Sequence, residues 1–168
     1  MDCNFIISVC SIIIALAALI TTIWQGLITR KHNRLSVKPI GDILANNFED
    51  KIDVILENKG TGPLIIKSFR AIVNNESKSN LIDWMPNLPN GFNWSNWLKD
   101  FEGTALKPLE SITLLEFKLD FREEKQRKIR DNIRKALCKI CIEFEYKDIY
   151  NNTFYFPLHC LSNVYGNN

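Results

Sequence analysis

At 168 residues the chain has room for one domain of ordinary size plus an appendage, and not for two full domains. Hydrophobic residues at 46% and charged residues at 24% exclude a disordered chain, and a net charge of +2 excludes wholesale nucleic-acid binding, so any basic footprint must be local. No low-complexity tract, continuous heptad pattern or solenoid-length repeat is present, which removes collagen-like, solenoid and propeller architectures.

Residues 1–29 hold one formal charge, Asp2, and residues 5–24 form a dense apolar run. At about 1.5 Å per residue that run reaches roughly 30 Å, the hydrocarbon thickness of a bilayer, so a transmembrane helix is predicted over 1–29. A cleaved signal peptide fits less well, because Met1-Asp2-Cys3-Asn4 carries no basic residue and the apolar run passes Ala15 and Ala17 without stopping. Arg30, Lys31, Arg34 and Lys38 form a basic junction over 30–38, which by the positive-inside rule leaves the amino terminus outside and the larger part of the chain in the cytoplasm. The same four charges also serve as a stop-transfer signal resting on anionic lipid. Trp24 falls at the level of an interfacial aromatic.

Small and polar residues in this segment follow a pattern. Asn4, Ser8, Ser11, Ala15, Ala18, Thr22 and Gln25 are spaced 4, 3, 4, 3, 4 and 3 apart, a mean of 3.5, and the stripe continues to Thr29 and His32. Lipid tails give helices no hydrophobic reason to associate, so spans meet through small residues and interhelical hydrogen bonds, and a 3.5 repeat is the seam of a left-handed bundle. Turned inward in several copies, the stripe would ring an axis with hydroxyls and amides able to hold water and pass ions. A tightly packed dry seam, or a helix whose small residues carry no role, fits the same spacing.

From Pro39 onward the pattern is mostly strand. Residues 51–57, 64–73, 111–120, 137–147 and 153–161 alternate or run apolar, with Ile65, Phe69, Ala71 and Val73 expected on one face of the second, and Cys138, Ile140, Ile142, Phe144 and Tyr146 inward in the fourth. Residues 58–63 form a turn in which the glycines offer positive φ, and Asn151-Asn152 suits a tight hairpin. The predicted fold is mainly β: one transmembrane helix, then a β-sandwich over 39–168 with one inserted helix. That helix is expected over 122–135, opened by a capping box between Asp120 and Glu123, with Ile129, Ile133 and Ala136 on its apolar side.

The same helix carries 7 basic and 3 acidic residues, whereas 39–168 as a whole has 17 against 18. Lys125, Arg127, Lys128, Arg130 and Arg134 are candidate contacts for an anion, such as a nucleotide or short oligonucleotide, or for the inner leaflet; a solvated helix face is the plainer reading. Trp84, Trp94 and Trp97 lie in a Pro, Asn and Gly rich insertion over 84–101, where they could stack bases, close one end of the sandwich or form a subunit interface.

Catalytic frames are missing. His32 and His159 have no ligand spacing, Cys138 and Cys141 three apart on one strand would point to opposite faces, and no phosphate loop, nucleophile elbow or paired carboxylate frame is present. No metal, cofactor or enzymatic activity is expected. All five cysteines are expected to be reduced thiols, as suits a cytosolic domain. The glycosylation sequons at Asn75, Asn93 and Asn151 would be idle there.

The junction from Ile23-Trp24-Gln25-Gly26 to Thr29-Arg30-Lys31-His32-Asn33-Arg34-Leu35-Ser36-Val37-Lys38-Pro39 resembles that of small bacterial proteins with one amino-terminal span and a β-rich cytosolic domain. The turns at 58–63 and 106–111 are similar to those of immunoglobulin-like domains. That group includes transmembrane effectors of nucleotide-signalling anti-phage defence systems of the Hailong type. The resemblance implies a homo-oligomer in the bacterial inner membrane, a tetramer among its forms. Such an assembly would conduct ions or disrupt the membrane under control of a nucleotide or oligonucleotide made by a partner nucleotidyltransferase. It carries no ligand-binding residue over. The alternative is a membrane-anchored interaction module without a pore.

Overall fold

The structure is a computed structural model that describes residues 3–120 and 122–166, and it divides into two compact units, Met1–Val37 and Lys38–Asn168. Asp2, the charge on the amino-terminal flank, lies outside the described residues.

The first unit is one unbroken helix, α1 (Cys3–Ser36), none of whose residues is buried. It is long and apolar enough to cross a membrane. The helix runs past the predicted span through Arg30, Lys31 and Arg34, because Leu, Arg and Lys all favour helix and nothing breaks it before Pro39. Its 34 residues extend about 51 Å, more than a hydrocarbon core requires.

The second unit holds two antiparallel sheets. One contains β1 (Gly41–Asn47), β2 (Lys51–Asn58), β5 (Asn96–Trp97) and β7 (Ser111–Lys118), in the order β1-β2-β7-β5. The other contains β3 (Leu64–Val73), β4 (Glu76–Lys78), β8 (Cys141–Lys147) and β9 (Thr153–Cys160), in the order β4-β3-β8-β9, with β6 (Ala105–Leu106) also pairing with β3. Helix α2 (Glu124–Leu137) lies between β7 and β8 in the chain, and a short helix α3 (Ser162–Tyr165) comes after β9. Ile52, Val54 and Leu56 of β2, Phe69 and Ala71 of β3, Leu115 and Phe117 of β7, Ile142 and Phe144 of β8, and Ile133 and Leu137 of α2 join one apolar cluster. At about 25 cal/mol per Å² of apolar surface removed from water, this shared cluster is the main force holding sheets and helix together.

Several local expectations change. In β3 the register shifts between Ile66 and Ser68, so Leu64 and Ile66 are buried before the shift and Phe69 and Ala71 after it, while Ile65 and Val73 are only partly covered. One extra residue reverses the alternation, and the expected face of Ile65, Phe69, Ala71 and Val73 does not exist as a unit. Strand β1 has weak alternation of its own and is held by pairing with β2 from Gly41↔Asn58 to Asn47↔Ile52. The turn between β8 and β9 is wider than an Asn-Asn hairpin. Buried Asp148 accepts hydrogen bonds from the Tyr150 and Asn152 nitrogens, at 2.8 and 2.9 Å, while Asn151 takes φ 66°.

Around 58–63 the glycine requirement is one of space. A Cβ on Gly60 would strike the Ile40 nitrogen and the Lys38 carbonyl, and positive φ is not involved. Asn58 organises this turn: its Nδ2 donates to the carbonyls of Gly62, Leu106 and Lys107 at 2.8, 3.3 and 3.1 Å, and its Oδ1 accepts from the nitrogens of Gly60 and Ile40 at 3.0 and 3.3 Å.

The cysteine expectation is overturned. Cys141 and Cys160 stand opposite each other in the β8–β9 register and are joined by a disulfide, leaving Cys3, Cys10 and Cys138 free. Antiparallel pairing, which spacing along the chain does not reveal, brings the two thiols together. Cys138 is also not on the strand with Cys141; it caps the end of α2.

Candidate functional site

The stripe residues from Asn4 to Gln25 all lie on α1. At 3.6 residues per turn Asn4, Ser8, Ser11, Ala15, Ala18, Thr22 and Gln25 fall within about 100° of arc. Its hydroxyls bond to their own helix: Ser8 Oγ donates to the Asn4 carbonyl at 2.9 Å, Ser11 Oγ to that of Ile7 at 2.8 Å and Thr22 Oγ1 to that of Ala18 at 2.8 Å. Each hydroxyl proton is therefore used inside the helix, leaving oxygen lone pairs and the Asn4 and Gln25 amides to face outward. Arg30, Lys31, Arg34 and Lys38 are all exposed. The Lys38 carbonyl accepts from the Thr61 nitrogen at 3.2 Å, and its ammonium lies 5.4 Å from the Phe154 ring centre.

The five candidate cations of α2 do not share one exposed face. Lys125, Arg127 and Lys128 are exposed, and Lys128 pairs with Glu124 at 2.8 Å one turn back. Arg130 is half-buried, with Nη1 donating to the Glu49 carbonyl at 3.5 Å. Arg134 is only 7% exposed, its Nη1 3.9 Å from Asp131. The start of α2 also differs from a capping box: Glu123 is the N-cap without a side-chain cap bond, while the Asp120 nitrogen donates to Gln126 Oε1 at 2.6 Å.

Arg134 lines a cavity of about 580 Å³ together with Asp131, Lys135, Cys138, Lys139 and Tyr165. Lys139 and Tyr165 come from outside α2, so helical spacing could not group them with Arg134. Lys135 shares the helix with the candidate contacts, and its position in the sequence does not single it out. Tyr165 lines the cavity as well; its hydroxyl, the donor, lies 3.0 and 2.9 Å from the carbonyl oxygens of Asn46 and Asp53, and burial pushes its ionisation up from the usual tyrosine range, the Asp53 charge adding to the effect.

The three tryptophans divide. Trp84 Nε1 donates to the Ala71 carbonyl at 3.0 Å, and Lys78 sits 4.1 Å from its ring centre. Trp94 packs edge-on against Phe117 at 5.6 Å. Trp97, on β5 opposite Leu115, is 45% exposed. Trp94 and Trp97 border a cavity of about 690 Å³ with Ile82, Met85, Leu88 and Phe92. Two of the rings thus serve packing, and the three do not form a common stacking platform. Among the described residues no group of His, Cys, Asp or Glu has the arrangement of a metal site.

The chain matches no protein-family model, no curated protein and no solved structure.

Proposed function

We propose that this chain is a single-span membrane effector whose copies associate along the α1 stripe, and whose β unit binds an anionic ligand that shifts the assembly between closed and open populations. The observation that carries the proposal is the narrow polar face of α1: seven small or polar side chains in about 100° of arc over residues 4–25, where the other positions are apolar and bulky except Ala17 and Thr21. In several copies the face would line a water-holding axis, so the assembly would conduct ions or disrupt the bilayer. A ligand could control this only through different affinity for the two states. The resemblance at the membrane junction adds a role in nucleotide-signalling anti-phage defence, with a nucleotidyltransferase product as ligand.

The basic flank supports a cytoplasmic β unit in the bacterial inner membrane, whereas the Cys141–Cys160 bridge is of a kind that persists in oxidising compartments. The two cues oppose each other. We follow the flank, because it acts at insertion while a bridge results from whichever compartment the domain reaches. The β unit reads as immunoglobulin-like, supported by two all-antiparallel sheets around one core, with α2 as a departure from the plain plan. The second reading, a membrane-tethered interaction module without a pore, is favoured by the internal hydrogen bonds of Ser8, Ser11 and Thr22, which reduce their need for a partner helix.

Cysteine trapping in membranes tests the proposal, with the free thiols Cys3, Cys10 and Cys138 first changed to Ser. Single cysteines in place of Ser11 and Ala18 on the stripe are expected to cross-link, and cysteines in place of Ile13 and Ile20 on the opposite side are not. Cross-linking confined to the opposite side would refute assembly along the stripe. If stripe cross-links form but Ala15→Leu leaves conductance unchanged, the tethered module is the correct reading.

A further inference from the structure

We propose that the end of the β unit carrying Ile40, Leu109 and Ile149 docks on a lipid bilayer, its loop tips entering the headgroup layer. Three segments meet at this end. The Ile40 nitrogen donates to Asn58 Oδ1 at 3.3 Å, and the Leu109 nitrogen donates to the Asn58 carbonyl at 2.9 Å. Ile65, near the start of β3, pairs with both Ala105 and Lys147, so the loop after β6 and the β8–β9 turn leave the sheet at the same end. Lys38 joins them, its ammonium 5.4 Å from the ring centre of Phe154 at the start of β9. Leu109 carries most of the argument. The Glu110 nitrogen donates to the Lys107 carbonyl at 3.1 Å, closing a four-residue turn with Pro108 second and Leu109 third at φ 61°. A third position with positive φ ordinarily goes to glycine or asparagine. Leucine is disfavoured there by its backbone, and at 83% exposed it gains nothing from the core in return. Ile40 and Ile149 are exposed as well, and Tyr150 beside Ile149 is of the residue type that settles at headgroup level. Continuity selects the bilayer as the covering: only Val37 separates Ser36, the last residue of α1, from Lys38, so the chain arriving from the apolar helix enters the β unit at this end. Charge does not supply the attraction, because Lys59 is paired with Asp42 and Glu57 and Lys147 with Asn151. The apolar tips supply it, in the manner of an interfacial anchor.

This surface goes beyond the effector and tethered-module readings and rests on what they share, a membrane-held α1. The test uses the full chain with Cys3, Cys10 and Cys138 changed to Ser and the Cys141–Cys160 bridge kept, reconstituted in vesicles of phosphatidylethanolamine and phosphatidylglycerol. An environment-sensitive fluorophore is attached through Ile149→Cys or, as a control, through Ser77→Cys on exposed β4, which pairs with the far end of β3 at Ile72. Lipids spin-labelled on the upper acyl chain quench from the bilayer, and iodide quenches from water. Lipid quenching is expected to be several-fold stronger at the Ile149 position than at the Ser77 position, and iodide quenching to show the reverse order. Leu109→Asn suits the positive φ and so spares the fold, and it is expected to lower lipid quenching at the Ile149 position about twofold by removing an inserted side chain. Equal lipid quenching at the two positions, or quenching unchanged by Leu109→Asn, would overturn the docking. Weak quenching at the Ile149 position by both agents would make a second copy of the chain the occupant and overturn the lipid assignment. Flotation with the vesicles after alkaline carbonate reports α1 by itself. A chain that floats without the expected quenching loses this surface and keeps its anchor, whereas one that does not float loses the anchor reading and the surface with it.

Discussion

Asn58 shows how one side chain can hold distant backbone in place. Its amide joins the carbonyls of Gly62, Leu106 and Lys107 to the nitrogens of Gly60 and Ile40, and the residue is 1% exposed. Removing it leaves several buried groups without partners, each costing about 1–3 kcal/mol. Asn58→Ala is therefore expected to destabilise the β unit by about 3 kcal/mol, read as a lower urea midpoint of the full chain. Tyr165 makes a pH-dependent contribution. Because burial raises its folded ionisation above the unfolded value of about 10, the folded state keeps the proton longer, and the stabilisation is complete below that pH and lost as pH rises above it. Tyr165→Phe should flatten the alkaline decline of the unfolding free energy, at the cost of the hydroxyl's bonds to Asn46 and Asp53 at neutral pH. Asp83 behaves oppositely. Hydrogen bonding from Asn80, with Lys99 adding to it, holds its carboxyl below the usual range, so its contribution fades on acidification. Asp83→Asn should remove that part of the acid dependence.

Elements differ in how far their own residues account for them. Helix α1 needs no neighbour for its backbone, since every hydrogen bond lies within the segment. Its stripe predicts that Ala15→Leu, which places a bulky group on the narrow face, lowers cross-linking between copies several-fold, while Ile13→Leu on the opposite side has little effect. In α2 the apolar positions are legible from 3.6-residue periodicity, and Ile129 and Ile133 are buried as expected. Charge on the same helix is harder to read. A row of cations along the chain does not show that Arg134 is buried while Lys125 and Lys128 remain in solvent, because its burial depends on what packs beside the end of α2, where Tyr165 of α3 lines the same cavity. Strand β3 presents a similar problem, since its bulge reverses the alternation midway.

At the scale of the whole molecule, charge flank and disulfide make opposing statements about compartment. A cytoplasmic β unit predicts that Cys141 and Cys160 are alkylated in intact cells quenched with acid, before any reductant is added, and that the bridge forms only after lysis in air. Protection of both thiols in the cell, together with labelling of the β unit by an impermeant reagent, would place that unit outside and reverse the topology.

Sequence by itself determined the long apolar helix, its basic flank, the spacing of the polar stripe and the β-rich character of the second unit, because length, charge and periodicity are local properties that a helix or an isolated strand expresses without help. Tertiary structure alone decided which strands pair, that Cys141 meets Cys160, that Gly60 is wanted for space, and that Arg134, Lys139 and Tyr165 border one cavity. Those facts depend on contacts between residues far apart in the chain, and register, burial and proximity arise only when the sheets close over a common core.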